Sequence, residues 1–205
     1  MTALLRFDNV AIDIERTVSF SVEAGDKLLL EVGSEESKSA IIDMTLGELL
    51  PADGQILLLG QSLAESSPGN IGYVPAEGGL ISNLKVWENV TLPLWYHGSR
   101  QLMATEESVA RWLRELNLSE QDWEKFMASP AARIKPWKRK LAGLLRGLVL
   151  APQLLVVDAN LFDEVDTATS RTWITALEKF VGDTEGRAVL VIANKPTILP
   201  WKKIE

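Results

Sequence analysis

The sequence contains no cysteine, only one histidine and no long apolar run. Without cysteine the chain has neither disulfides nor a thiol nucleophile, which suits a reducing compartment such as the cytoplasm. No apolar stretch approaches the roughly 20 residues that a membrane-spanning helix needs. The N-terminus lacks a basic region followed by an apolar run, so we expect no signal peptide. We expect the histidine, His97, to be a surface residue.

The charge is one-sided, because 28 acidic residues outnumber 21 basic residues and give a net charge of −7. This balance argues against a dedicated nucleic-acid-binding protein. With 205 residues and 46% hydrophobic content, the chain is predicted to be globular, with one domain and room for a subdomain.

Five short apolar runs predict strands, at 28–30, 55–60, 71–74, 154–158 and 188–193. Most of them are apolar on both faces, which is typical of a parallel sheet that is covered on both sides. An earlier segment differs, because Val18, Phe20 and Val22 alternate with polar residues. This alternation predicts a half-exposed antiparallel strand.

Helical patterns fill the stretch between residues 87 and 140. Within residues 105–118, apolar side chains recur at the spacing of one helix face, and Thr105 is a candidate N-cap. Ser119 is predicted to cap the next short helix. Two further helices are predicted from about Arg139 to Leu150 and from about Ala168 to Val181. The order of elements predicts an α/β fold with a helical insert.

Residues 28–40 read LLLEVGSEESKSA and have the outline of a phosphate-binding loop. An apolar strand leads into a short loop with Gly33, then into Lys38-Ser39 and a helix predicted to start at Ala40. A working loop reads G-x-x-x-x-G-K-[ST], and its glycines let backbone N–H groups surround a phosphate. With Lys38 as the anchor, Val32 and Ser37 occupy the two glycine positions. The loop also contains the acidic pair at 35–36.

Four ordered segments extend this pattern: VSFSVEAGDKLLLEVG, LPADGQILLLGQSL, IGYVPAEGGLISNLKVWENVTLPL and LRGLVLAPQLLVVDA. With them the chain resembles the nucleotide-binding domain of ATP-binding cassette (ABC) transporters over nearly its whole length. The resemblance implies a P-loop NTPase fold of class α/β, with a RecA-like core that carries N-terminal antiparallel strands. The core would span about 1–83 and 146–205, and an inserted α-helical subdomain about 84–145. The segment NVTLPLWYHG is similar to cassettes that serve bacterial lipid-transport permeases.

The resemblance also implies a site for ATP and Mg²⁺. It places nucleotide contacts at five positions of the first loop and helix: Gly33, Ser34, Lys38, Ser39 and Ala40. It places the Mg²⁺ ligands at Ser39 and Asp158, where Asp158 follows the apolar run of the Walker B strand.

Several positions that carry the chemistry of the family are replaced. Ala159 stands where a glutamate acts as general base, and loss of such a base costs roughly 10²–10⁴-fold in rate. Ala76 and Asn194 stand at the usual glutamine and histidine positions. No aromatic residue in the stretch 10–17 is available to stack on adenine. The resemblance therefore implies a cassette with degenerate motifs.

The signature motif, which in the family reaches across a dimer to the partner's γ-phosphate, falls at 134–138. Pro136 has no N–H group there, and Trp137 fills the space that a glycine leaves open. The surrounding KPWKRK run stays positively charged. It suits contact with phosphate, an acidic partner or lipid headgroups, or it is a solvated face.

Electrostatics explain why the first loop is a poor phosphate site. A carboxylate ~5 Å from a phosphate charge costs about 3 kcal/mol at an effective dielectric constant near 20. Glu35 and Glu36 supply two such charges against the single cation of Lys38. We hypothesise that one glutamate folds onto Lys38 and takes the place of the phosphate.

These observations favour a hydrolysis-deficient cassette subunit of a membrane transporter, with weak or lost ATP binding, at the cytoplasmic face of the membrane. Its partners would be a membrane permease and a second cassette in a homodimer or heterodimer, and not a nucleic acid. Candidate permease contacts are Leu84, Trp87, Leu94, Trp95 and Tyr96, although Trp87 and Leu94 equally suit a subdomain core.

Three alternatives stay open. The first is an active Mg²⁺-dependent ATPase that uses Lys38, Ser39, Asp158 and either Glu77 or Glu36. The second is a regulatory module on the same fold without a role in transport. The third is a GTPase. It rests on the segment ANKPT, which is similar to the guanine-binding N-K-x-D motif but has Thr197 in place of the aspartate.

Overall fold

The structure is a computed structural model, and it describes residues 3–12, 16–63, 70–96 and 102–204. The predictions for His97 and for part of the adenine-stacking stretch, residues 13–15, lie outside the described residues, as does the side chain of Tyr96. No helix in these ranges has both the length and the apolar character required to cross a bilayer.

The chain divides into two compact units, which are described separately. The first unit lies within residues 1–73, 152–159 and 181–205, and the second within 74–151 and 160–180. Both sheets belong largely to the first unit, and helices α2 to α5 belong to the second. The predicted division into a core at 1–83 and 146–205 and an insert at 84–145 stays a prediction.

One sheet is antiparallel and is built from β1 (Leu5–Ala11), β2 (Thr17–Val22), β4 (Gln55–Leu58) and β5 (Gln61–Ser62), in the order β2-β1-β4-β5. Val18 and Val22 are buried while residues 17, 19 and 21 are exposed, so the predicted half-exposed antiparallel strand is confirmed. The run 55–60 pairs in this antiparallel sheet and is an exception to the prediction that most of the five runs belong to a covered parallel sheet. Its residues alternate in burial along β4, because one face of this sheet stays open.

The other sheet has the order β6-β7-β8-β3-β9 and contains β3 (Lys27–Glu31), β6 (Ile71–Val74), β7 (Leu154–Asp158), β8 (Ala188–Ala193) and β9 (Lys202–Ile204). The pairs β7–β8, β8–β3 and β3–β9 are parallel. Every residue of β7 and β8 is buried, as predicted for strands covered on both faces. Strand β9 was not predicted, because three residues with two lysines read as a polar tail. An exposed edge position accounts for that composition.

The helices are α1 (Glu35–Leu46), α2 (Val86–Tyr96), α3 (Leu102–Glu115), α4 (Glu120–Ala128), α5 (Pro136–Leu150) and α6 (Thr167–Gly182). Short 3-10 helices cover Ala131–Arg133 and Ala159–Phe162. Ser119 is the N-cap of α4, as predicted, although its side chain makes no capping hydrogen bond.

Two predicted helix starts are wrong. Thr105 lies inside α3 and is not its N-cap, because the preceding Leu-Met-Ala segment consists of strong helix formers that extend the helix by a turn. Helix α1 starts at Glu35 and not at Ala40, which changes the phosphate loop directly.

Candidate nucleotide site

The carboxyl ends of three neighbouring parallel strands define the candidate site. Strand β3 ends at Glu31 opposite Ala193, and strand β7 ends at Asp158 opposite Ile192. Because these strands are parallel, the segments that follow them emerge at one edge of the sheet, where ligands of open α/β sheets bind. The start of α1, Asp158 and Asn194 therefore meet within the first unit.

Helix α1 begins three residues before Lys38, where a phosphate loop was predicted. Ser34 is its N-cap, with extended backbone angles, and its hydroxyl accepts a hydrogen bond from the Ser37 N–H at 3.1 Å. The Lys38 N–H donates to the Ser34 carbonyl at 3.1 Å. Two backbone donors that a phosphate loop would aim at its ligand are thus satisfied inside the protein.

Gly33 provides the only left-handed backbone in the described stretch from Val32 to Ala40, with φ 80°. Val32 therefore needs no left-handed conformation, although it occupies a glycine position of the working loop. Val32 is instead a core residue, 1% exposed. Its N–H donates to the Ala193 carbonyl at 2.9 Å, and its carbonyl accepts from Arg16 Nη1 at 2.5 Å. The loop is held by internal hydrogen bonds.

Lys38 is buried, with 1% of its side chain exposed, and it is paired with two carboxylates. Its Nζ lies 2.9 Å from Glu35 Oε1 and 2.9 Å from Asp158 Oδ1. Burial by itself lowers the pKa of Lys38, but the hydrogen bonds to Asp158 and Glu35 outweigh it and raise that pKa above its ordinary value. The predicted contact of a glutamate with Lys38 is confirmed for Glu35, while its taking the place of the phosphate stays a prediction.

Asn194 completes this arrangement from the end of β8. Its Nδ2 donates to Glu35 Oε2 at 2.7 Å, so each oxygen of the Glu35 carboxylate has a partner. In the family that the sequence resembles, a histidine usually stands at this position. Here the amide binds the same carboxylate that binds Lys38, and a continuous chain of contacts runs from Asp158 through Lys38 and Glu35 to Asn194.

The residues present do not fit Mg²⁺-ATP in this arrangement. The lysine that should meet a phosphate already carries two carboxylates, and the Asp158 Oδ1 that should support Mg²⁺ is bonded to it. Ser39 is exposed and Ala40 is half-buried, while Ala159, in the position of the general base, is 4% exposed. Within the described ranges, no group of three or more His, Cys, Asp or Glu side chains is arranged to hold a metal ion.

Ala76 and Glu77 lie in the second unit, in a loop that is fixed to α5. Arg146 donates from Nη1 to the Gly79 carbonyl at 2.7 Å and from Nη2 to the Gly78 carbonyl at 3.0 Å. Glu77 Oε1 is 3.8 Å from the Nζ of Lys140, and the Glu77 side chain is 73% exposed. The loop that carries the glutamine position is thus held by cations of α5.

A close approach of two glycines tightens the same contact. A Cβ atom on Gly143 would lie 2.4 Å from the Gly78 Cα and 2.5 Å from its carbonyl oxygen. Gly78 itself has φ 80°, which side-chain-bearing residues rarely adopt. Helix α5 and the loop therefore pack backbone against backbone.

Gly143→Ala is expected to destabilise the protein by about 1–3 kcal/mol, because the added methyl group meets backbone atoms that cannot rotate away. Gly182→Ala is the matched control, since nothing lies within 4 Å of a Cβ at that position in α6. Urea denaturation of both variants measures the difference. Equal stability of the two variants would show that the loop is not held against α5 in this way.

The signature position forms the start of α5. Lys135 is the N-cap residue without a side-chain capping bond, and Pro136 is the first helical residue. The N–H groups of Lys138 and Arg139 donate to the Lys135 carbonyl at 2.9 and 3.1 Å. As predicted from the proline, this helix start offers few backbone donors to an anion.

Lys140 is the last residue of the charged KPWKRK run, for which the sequence allowed a solvated face. It is instead 4% exposed, and its Nζ donates to the carbonyls of Asn160 at 3.1 Å and Asp163 at 2.8 Å. The sequence contained a signal, because Lys140 precedes Leu144 and Leu148 at intervals of four and so lies on the apolar face of α5. Asp163 belongs to the acidic LFDEVD segment, which Lys140 therefore anchors to α5.

Comparison with known proteins agrees with this fold. A family model described as ABC transporter matches residues 16–161. The chain belongs to the ABC transporter family. Within the family it is an ATP-binding subunit. The predicted P-loop cassette fold, with one antiparallel and one parallel sheet, is confirmed.

Curated relatives of this ABC cassette differ widely in length. The ergothioneine transport ATP-binding protein EgtV of Helicobacter pylori is 26% identical over 165 residues, which cover 77% of this chain and 75% of the relative. The molybdate/tungstate import ATP-binding protein WtpC of Thermococcus kodakarensis is 25% identical over 174 residues, or 80% of this chain and 48% of the relative. The chain thus spans most of the first relative and about half of the second.

Solved structures of ABC proteins share the fold at low sequence identity. An ATP-binding subunit of an ABC transporter superposes with a TM-score of 0.77 at 20% identity, covering 93% of this chain and 79% of the other. A dimeric bacterial ABC transporter cassette gives a TM-score of 0.77 at 18% identity, covering 93% and 88%. This similarity shows the fold alone, so the function of the site is inferred from its own residues.

Proposed function

We propose that the chain is a hydrolysis-deficient cassette subunit of an ABC transporter, in which ATP binding is weak or absent. One observation carries the proposal: Lys38 already binds the carboxylates of Glu35 and Asp158 at 2.9 Å each. A phosphate group approaching Lys38 must displace Glu35 and overcome its negative charge. The replaced positions support the same conclusion, because Ala159 cannot act as a general base.

We further propose that the subunit acts through its partners, a membrane permease and a second cassette. Helix α2 supports this, because Trp95 is 65% exposed on it. Trp87 and Leu94 of α2, and Leu84 just before it, are half-buried. Exposed aromatic residues are typical of protein interfaces. Such a partnership would hold the chain at the cytoplasmic face of the membrane. The NVTLPLWYHG segment favours a permease of the lipid-transport type.

ATP turnover of the purified chain and of the Asp158→Asn variant tests the missing hydrolysis. We expect both to show the same background, with no dependence on Mg²⁺. Turnover that requires Mg²⁺ and is lost in Asp158→Asn would refute the proposal and favour the active ATPase. The partner is tested separately by co-purification, in which the tagged chain should retain an integral membrane protein and Trp95→Glu should lose it. Leu50→Glu is the control and should keep it, because Leu50 is equally exposed, at 68%, but lies in the connection between α1 and β4. Retention of no membrane protein would favour the regulatory module.

A further inference from the structure

A cavity of 390 Å³ lies within the second unit, between α4, the 3-10 helix Ala131–Arg133 and the start of α5. Its apolar lining includes Phe126, which is buried, and Trp137, which is 38% exposed. This volume is within the range of protein sites that bind small molecules or single side chains of a partner. The cavity lies outside the contacts of Lys38 described above.

The cavity is strongly basic in a chain of net charge −7. Four cationic side chains line it, Lys125, Arg133, Lys135 and Lys138, against one carboxylate, Asp122. Over the described ranges, none of the four forms a salt bridge with a carboxylate. All four are exposed or half-buried, so they are available to a ligand. An unneutralised cluster of this kind attracts an anionic partner.

One of these cations is held in place by the aromatic residues. Lys138 Nζ lies 5.7 Å from the centre of the Phe126 ring and 5.5 Å from that of the Trp137 ring, as in cation–π contacts. These contacts fix the ammonium group at the cavity and leave the hydrogen-bonding capacity of its N–H groups for a ligand.

The distribution of donors favours several separate carboxylates over one phosphate. Compact phosphate sites gather backbone N–H groups at a helix start, but Pro136 has none and the Lys138 N–H is used by the Lys135 carbonyl. The cations instead come from three elements around a space much larger than a phosphate ion. Ile134 and Trp137 add apolar surface between them.

We propose that this cavity binds an acidic peptide segment of a partner protein. Glutamate or aspartate side chains of the segment pair with the four cations, and its aliphatic parts contact Trp137. The complementary charge is what selects the partner. This site is distinct from the Lys38 site and does not depend on whether ATP binds there.

The test uses the full chain and a short fluorescent peptide in which glutamates alternate with alanines, followed by fluorescence anisotropy. Binding is expected at about 20 mM salt and should weaken strongly at about 500 mM, where charges are screened. Lys135→Glu/Lys138→Glu should weaken binding about tenfold or more. Lys135→Gln/Lys138→Gln, which removes charge without reversing it, should give a smaller loss and guards against a folding defect in the first variant.

Lys195→Glu/Lys202→Glu is the matched control, because both lysines are exposed and neither lines the cavity. It changes the net charge equally and should leave the affinity unchanged within about twofold. Equal losses in the control and cavity variants would overturn the proposal, as would absence of peptide binding at low salt. Binding of inorganic phosphate or of anionic phosphatidylglycerol vesicles through Lys135 and Lys138, without peptide binding, would overturn it in favour of a phosphate ligand.

Discussion

Lys38→Ala is expected to lower the free energy of unfolding by about 3 kcal/mol or more. In an active cassette the corresponding lysine serves the nucleotide, but here its side chain is 1% exposed and lies between Glu35 and Asp158. Removing it leaves the Asp158 carboxylate, 9% exposed, without its cation. A buried charge that loses its partner is among the most destabilising changes known for single substitutions. Urea denaturation at neutral pH measures the loss.

Two further variants separate the ion pair from other effects. Lys38→Met/Asp158→Leu removes both charges and is expected to be far less destabilising than Lys38→Ala, because apolar side chains of similar size often replace a buried pair at little cost. Lys27→Ala, a half-buried lysine of β3, should change stability by less than about 1 kcal/mol. A loss of less than about 0.5 kcal/mol in Lys38→Ala would contradict a structural role for the lysine.

The direction of the Lys38 pKa shift fixes the pH range in which the pair contributes. Because that pKa is raised in the folded protein, the contribution is complete below the ordinary value of 10.5 and is lost as the pH rises through the higher folded value. Above neutral pH, the difference in stability between the wild type and Lys38→Met should therefore persist until the pH rises through the folded pKa of Lys38, in strongly alkaline solution.

Glu35→Ala is expected to tighten ATP binding by roughly tenfold to a hundredfold. The carboxylate of Glu35 occupies Lys38 and would repel a phosphate, at a cost of about 3 kcal/mol per charge at a distance of ~5 Å. The expected gain in affinity extends down to tenfold, because the Glu35 side chain is 55% exposed and solvent screens its charge. Fluorescence of a labelled ATP analogue, titrated with each variant, measures the gain.

Glu36→Ala is the matched control for this prediction. Glu36 has the same charge and follows Glu35 in the first turn of α1, but it is exposed and is not among the partners of Lys38. It should improve ATP binding much less than Glu35→Ala does. Equal gains would show that general charge reduction, and not release of Lys38, explains the effect. No gain in either variant would show that the backbone of the loop, with its donors used by Ser34, limits binding.

Much of the fold followed from hydrophobic patterning, for reasons visible in particular strands. Strands β7 and β8 are buried on both faces, and continuous apolar runs report such burial reliably. Strand β9 and the alternating burial of β4 were not recovered, because a short edge strand and a four-residue run carry little periodic information.

Three predicted positions of the candidate site lie together in the structure, and their roles toward ATP and Mg²⁺ stay predictions. Lys38, Asp158 and Asn194 do meet, because they follow strands whose carboxyl ends share one edge. The early start of α1 was missed, although Ser34 followed by two glutamates is a recognised helix N-terminus pattern. The resemblance to a phosphate loop outweighed that local signal. The burial of Lys140 was not predicted, because its positive charge was given more weight than its position on the apolar face of α5.

Calorimetric titration of the purified chain with ATP, with and without Mg²⁺, tests whether Glu35 occupies the place of a phosphate at Lys38. We expect no saturable heat below millimolar ATP in the wild type and measurable binding in Glu35→Ala. Mg²⁺-dependent binding of the wild type at micromolar ATP, abolished in a folded Lys38→Met variant, would contradict it.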